Sequence, residues 1–133
     1  MSLLKQFGLT PIEKKSLKSG HTNKPYFSVS IKGGKTYSFS LYTLFKEGLI
    51  DWDGIDIAFS KQHGGLFVAK GNTFKFQDKK DRPGRIDSVD IYNLIWKSFC
   101  LKKPETKARV IFSYEKFSED VYILKVEKID YNY

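Results

Sequence analysis

A chain of 133 residues with 41% apolar side chains can build one compact core, or two small lobes that share one. No apolar run approaches the roughly 18 residues of a membrane span, and the N-terminus is too short and interrupted for a secretory leader, so a soluble cytoplasmic protein is expected. A net charge of +8 favours a polyanionic partner, and a single cysteine excludes a disulfide framework or thiolate metal cluster.

Residues 1–25 read as a basic and apolar arm. Lys5, Lys14, Lys15, Lys18 and Lys24 face only Glu13 in charge. Thr10-Pro11-Ile12-Glu13 has the form of a capping box, with proline at the first helical position, and starts a short helix that ends near Ser19-Gly20. Two turns are marginal alone. Leu3, Leu4 and Phe7 are too apolar for a free tail, so they are expected to bind a partner, a second copy of the chain, or the chain's own core.

Residues 26–71 read as a first ββαββ unit. Phe27, Val29 and Ile31 alternate with polar residues, the period of a half-buried strand. Gly33-Gly34 makes a tight turn into a strand carrying Tyr37 and Phe39. Ser40 caps a short helix stopped at Gly48, and strands through Ile57 and Val68 flank the turn His63-Gly64-Gly65. Trp52 is expected to pack over the helix end.

Residues 72–133 read as a second ββαββ unit. Phe74 and Phe76 precede a polar loop from Gln77 to Arg85, Ile86 returns, and Ser88 or Asp87 caps a helix that runs to about Phe99, where Lys102-Lys103-Pro104 breaks it. Cys100, between Phe99 and Leu101, reads as a buried structural thiol. Strands Lys107 to Tyr114 and Val121 to Val126 close the unit across Glu115 to Asp120. The last strand is apolar on both faces, which marks it as central and covered.

The units match best at Leu41-Tyr42-Thr43-Leu44-Phe45 and Ile91-Tyr92-Asn93-Leu94-Ile95, and at Phe59-Ser60 and Phe112-Ser113. Each alone is near the lower limit for a core, so two would bury each other's open faces as an internal pseudo-dimer. The expected fold is α+β and strand-dominated: two tandem units in a compact pseudo-two-fold barrel or sandwich, with a short N-terminal helical arm.

Gly84-Arg85-Ile86, followed by a helix, and the segment Leu49 to Ile57, with Gly54 before a hairpin, resemble the AbrB/MazE-type swapped-hairpin DNA-binding domains over residues 26 to 127. Ser40 and Ser88 stand where that pattern has a proline, and Gly34-Lys35 is the first unit's counterpart of Gly84-Arg85. The resemblance implies DNA binding.

Asp78-Lys79-Lys80-Asp81-Arg82-Pro83-Gly84-Arg85 is the strongest candidate site, because Lys79, Lys80, Arg82 and Arg85 could contact phosphates from a hairpin tip. Lys32 and Lys35 would form the equivalent tip, and Lys102, Lys103, Lys107 and Arg109 add a second cationic stretch. Straddling a groove requires both tips on one face. Phe27, Tyr37, Phe39, Phe59, Phe74, Phe76 and Phe112 fall on inward phases and are expected in the core, whereas Tyr131-Asn132-Tyr133 reads as an exposed interaction tag.

No enzyme, cofactor or metal is expected. Asp51 to Asp56 lacks the spacing of a calcium loop, His21 and His63 have no acidic partner at motif spacing, and Lys32-Gly33-Gly34-Lys35 is a hairpin turn rather than a phosphate loop. Two functions remain open: a small basic nucleic-acid-binding protein, or a phage-type structural, assembly or inhibitor protein that binds another protein through its arm and basic surface.

Overall fold

The computed structural model describes residues 24–77 and 83–131. The expected arm helix, His21, Leu3, Leu4 and Phe7, and the loop residues Lys79, Lys80 and Arg82 lie outside the described residues.

Strand β1 (Tyr26–Ser30) buries Phe27 and Val29 completely and turns Ser28 and Ser30 to the other face. Gly33 and Gly34, at φ of +81° and +131°, reverse the chain into β2 (Thr36–Ser40), where Phe39 pairs with Phe27. Helix α1 (Tyr42–Lys46) begins one residue later than expected, with Leu41 at the N-cap. The Ser40 hydroxyl accepts from the Tyr42 amide at 3.3 Å but does not cap the helix. Burial of Leu41 and Leu44 holds so short a helix in place.

Strands β3 (Gly54–Ser60) and β4 (Gly65–Lys70) form the next hairpin, and β5 (Phe74–Lys75) pairs with the start of β3. A Cβ on Gly54 would come within 2.5 Å of the Phe74 carbonyl, so glycine is what permits this approach. Strand β6 (Arg85–Asp87) leads into helix α2 (Val89–Ser98), whose cap is the expected one: Ser88 Oγ accepts from the Ile91 amide at 3.2 Å.

Helix α2 ends at Phe99, as expected, but Pro104 is not what stops it: Cys100 takes the left-handed conformation at φ +53°. Leu101 N–H then donates to the Trp96 carbonyl and Cys100 N–H to that of Lys97, the paired bonds of a Schellman motif. This reversal lifts Cys100 to the surface, so the expectation of a buried thiol fails.

Strands β7 (Lys107–Ser118) and β8 (Val121–Asp130) are longer than the sequence suggested. The polar stretch Glu115 to Ser118 is strand because Val121 to Ile123 supply its ladder, and Glu119-Asp120 alone make the turn, Asp120 at φ +58°. β8 is interior to the sheet, as expected, but its outward face is only partly covered: Ile123 is buried while Lys125 is exposed.

The eight strands run in the order β5-β3-β4-β8-β7-β1-β2-β6, antiparallel throughout. The Gln77 amide donates to the Arg85 carbonyl at 2.8 Å, which brings the two edges together in a nearly closed barrel. Phe27, Phe39, Phe112, Leu66, Val68 and Leu124 fill the interior.

The helices lie at opposite ends. In the register of β2 against β6, Ser40 pairs with Arg85 and Ser38 with Asp87. α1 therefore leaves β2 where β6 begins, and α2 leaves β6 towards the start of β2. α2 presses Ile91, Ile95 and Trp96 into its end of the barrel. Among the described residues no helix is long and apolar enough to cross a membrane.

Candidate nucleic-acid interface

Two cationic stretches that are far apart in sequence meet at the α2 end. Lys32 and Lys35 lie in the β1–β2 turn, and Lys102 and Lys103 in the connection from α2 to β7. The link is backbone pairing: Ile31 N–H donates to the Thr106 carbonyl at 2.8 Å, and Ser30 stands opposite Lys107 in the ladder. Lys97, near the end of α2, belongs to the same end. Asp87, Asp90, Glu105 and Asp130 are acids there, and Asp87 is already engaged by Arg85 at 3.0 Å and by the Gln77 side-chain amide.

The α1 end has a different balance. Its turns carry Lys46, Lys70, Lys75, Arg85 and Lys116 against Glu47, Asp51, Asp53, Glu119 and Asp120. Positive excess among the described residues is thus concentrated around α2.

The described anchors of the two expected tips lie at opposite ends of β2. Gln77 and Arg85, which flank the polar loop, sit at the α1 end, whereas Lys32 and Lys35 sit at the other, separated by the length of β2, roughly 13 Å at ~3.3 Å per residue. The reason is topological. β2 and β6 are antiparallel neighbours, so their first residues lie at opposite ends of the barrel.

The connection after α2 is held firmly. The Lys102 carbonyl accepts from Trp96 Nε1 at 3.0 Å and from the Tyr131 hydroxyl at 2.8 Å. Tyr131 is therefore tied to the fold and is not a free tag; Asn132 and Tyr133 lie outside the described residues. Three surface depressions surround this region. One, of about 200 Å³, is lined by Lys102, Lys103, Glu105, Thr106 and Tyr131. A second, of about 390 Å³, lies between α2 and the returning chain, with Tyr92, Asn93, Trp96, Lys97, Leu101 and Lys103 around it. The third, also about 200 Å³, runs from Lys35 and Tyr37 to Ser88 and Val89.

Tyr92 connects the cleft to the core. Its ring lies 4.7 Å from Trp96, 5.0 Å from Tyr37 and 6.1 Å from Phe27. Burial, followed by the neighbouring Tyr37 and Tyr131 hydroxyls, pushes its phenol above the ordinary tyrosine value. Sequence reasoning missed Tyr92, Asn93 and Lys97, with the buried Trp96, as the lining of this cleft. Their spacing, two i,i+4 pairs on adjacent stripes of one helix, was the available signal.

Elsewhere the aromatic residues behave as core, with Phe27, Phe39 and Phe112 fully buried and Tyr37, Phe59, Phe74 and Phe76 packed against them. Trp52 is buried at the α1 end, where its Nε1 donates to Asp120 at 3.3 Å. Asp56 accepts from the hydroxyl and amide of Thr73, which holds its carboxyl below the usual range. His63 is exposed, and its Nδ1 is hydrogen-bonded to Ser60 Oγ at 2.9 Å. Among the described residues no three His, Cys, Asp or Glu side chains are grouped to hold a metal ion.

No protein-family model, curated protein or solved structure matches this chain.

Proposed function

We propose that this is a small, non-enzymatic nucleic-acid-binding protein that contacts phosphates through the α2 end of the barrel. The observation that carries this reading is the convergence of Lys32, Lys35, Lys102 and Lys103 by backbone pairing, at an end where cations outnumber acids. Phosphate attraction acts through such local excess, and neutralised phosphates release counterions. Compared with the expectation from sequence, the interface loses Arg85, keeps Lys107 and gains Lys97.

The strand order supports an internal duplication of ββαββ units. Exchanging β1–β4 with β5–β8 turns the ring β5-β3-β4-β8-β7-β1-β2-β6 into β1-β7-β8-β4-β3-β5-β6-β2. That is the same ring read in the opposite direction, as a two-fold axis across the barrel requires, passing between β4 and β8 and between β2 and β6. Hairpins of the two units also alternate around the ring, which agrees with the resemblance to swapped-hairpin domains.

Titration of the chain with single-stranded and duplex oligonucleotides at stepped salt concentrations tests the function. Binding whose affinity falls log-linearly with salt is expected. Absence of binding to either at low salt removes the reading.

A second reading, contact with another protein, draws on the outer face of β4, β7 and β8. Phe117 is half exposed there, with its ring 4.7 Å from Phe67 and 5.4 Å from His63. Co-sedimentation of the chain with itself distinguishes a self-associating patch from an isolated one.

A further inference from the structure

The cleft between α2 and the chain that returns from it is not needed to bind phosphates. We infer that it receives one unpaired nucleobase, so that the protein selects single-stranded or locally opened nucleic acid; this rests on the nucleic-acid reading above.

Several features of the cleft point the same way. Its size, about 390 Å³, is within the roughly 300–1,000 Å³ of small-ligand sites. The half-buried Tyr92 offers its ring to the cleft, with the buried Trp96 packed 4.7 Å from it, and Leu101 adds an apolar side chain to the lining. Stacking of a base on such rings tolerates any sequence, because every base has a π-face. Asn93, exposed on the rim, offers both a donor and an acceptor to a base edge. Lys97 and Lys103 flank the opening, where the phosphates on either side of an inserted base would lie. Lys103 also lines the neighbouring depression with Lys102 and Tyr131, so a strand leaving the cleft meets further cations.

The cleft is built in advance. Cys100 in the left-handed conformation, which costs an L-residue energy, sends the chain back antiparallel to the end of α2. The bonds from Trp96 and Tyr131 to the Lys102 carbonyl then fix the second wall. Trp96 has its only ring donor occupied in this way, so it can serve the cleft as an apolar surface but not as a hydrogen-bond donor. A duplex keeps its bases stacked inside and cannot fill the site without opening, which costs unpairing energy.

The test compares oligomers with the same number of phosphates: a thymidine oligomer, a uridine oligomer, an abasic deoxyribose-phosphate oligomer, and a duplex. The full chain is used unaltered, so loss of folding cannot confuse the result. The base-bearing single strands are expected to bind about tenfold tighter than the abasic strand, with the same salt slope. Ultraviolet crosslinking of bound thymidine oligomer is expected to map to Tyr92 or Trp96. An Asn93→Ala variant, altered only at an exposed position, should lose part of that advantage. Equal affinity for base-bearing and abasic strands, or crosslinks confined to other parts of the chain, overturns the inference while leaving phosphate binding intact. No binding to any oligomer overturns the nucleic-acid reading itself.

Discussion

Neutralising the α2 end provides the sharpest test of where binding resides. The variant K32Q/K35Q/K102Q/K103Q replaces four exposed cations with neutral polar side chains, and none of the four lies in the buried core. Each phosphate contact contributes a salt slope of about 0.7 on single strands or about 0.9 on duplex, so four contacts account for a slope of roughly 3. Glu105, in the same depression as Lys102 and Lys103, offsets part of this, so a loss of about 2–3 in slope is expected. Extrapolated to ~0.1 M salt, that corresponds to an affinity about 10²–10³ times weaker. Fluorescence anisotropy with a labelled oligonucleotide, at salt concentrations from about 50 to 200 mM, measures both quantities. The comparison variant K46Q/K70Q/K75Q/K116Q removes as many of the charges behind the +8 total, but from the α1 end. If net charge alone attracts the ligand, both variants lose the same slope. Equal losses, or an unchanged slope in the first variant, refute a localised interface.

Three further outcomes follow from the structure. Phe112→Ala removes a fully buried ring that packs against Phe39 and Phe99, and should lower unfolding free energy in urea by about 3–5 kcal/mol. Cys100→Gly relieves a left-handed L-residue and should raise stability by about 1 kcal/mol, provided that the greater freedom of glycine in the unfolded chain does not absorb the gain; in the unaltered protein, the same thiol should react with an aromatic disulfide without denaturant. Tyr92, whose phenol is raised in the folded state, contributes stability that is complete below the ordinary value of 10.0 and is lost as pH rises above it. Urea midpoints in the alkaline range should therefore fall less steeply in Tyr92→Phe than in the unaltered chain, and parallel curves would contradict this.

Local chemistry was largely legible in the chain. Gly33-Gly34 read as a positive-φ turn because only glycine tolerates that backbone, and Ser88 read as an N-cap because its hydroxyl can reach the Ile91 amide. Alternation identified Phe27, Val29 and Phe39 as inward residues for the same kind of reason: their partners lie two positions away. Failures occurred where the deciding partner was distant. Glu115 to Ser118 looks like loop until Val121 to Ile123 offer it a ladder. Cys100 looks buried between two apolar neighbours until the carbonyls of Trp96 and Lys97 turn the backbone outward. Tyr92, Asn93 and Lys97 belong to a cleft only because Leu101 and Lys103 return beside α2.

The candidate site divides along the same line. Composition and sequence determined that the chain is basic, where its lysine clusters fall and which turns carry them, since charge and turn preference are properties of residues and their immediate neighbours. Which clusters meet was decided only by the tertiary structure. The antiparallel pairing of β2 with β6 puts the β1–β2 turn and the loop anchors Gln77 and Arg85 at opposite ends, and the pairing of β1 with β7 brings Lys32 and Lys35 beside Lys102 and Lys103. Strand direction and register depend on ladders closed between residues more than 40 positions apart, and no local pattern encodes them.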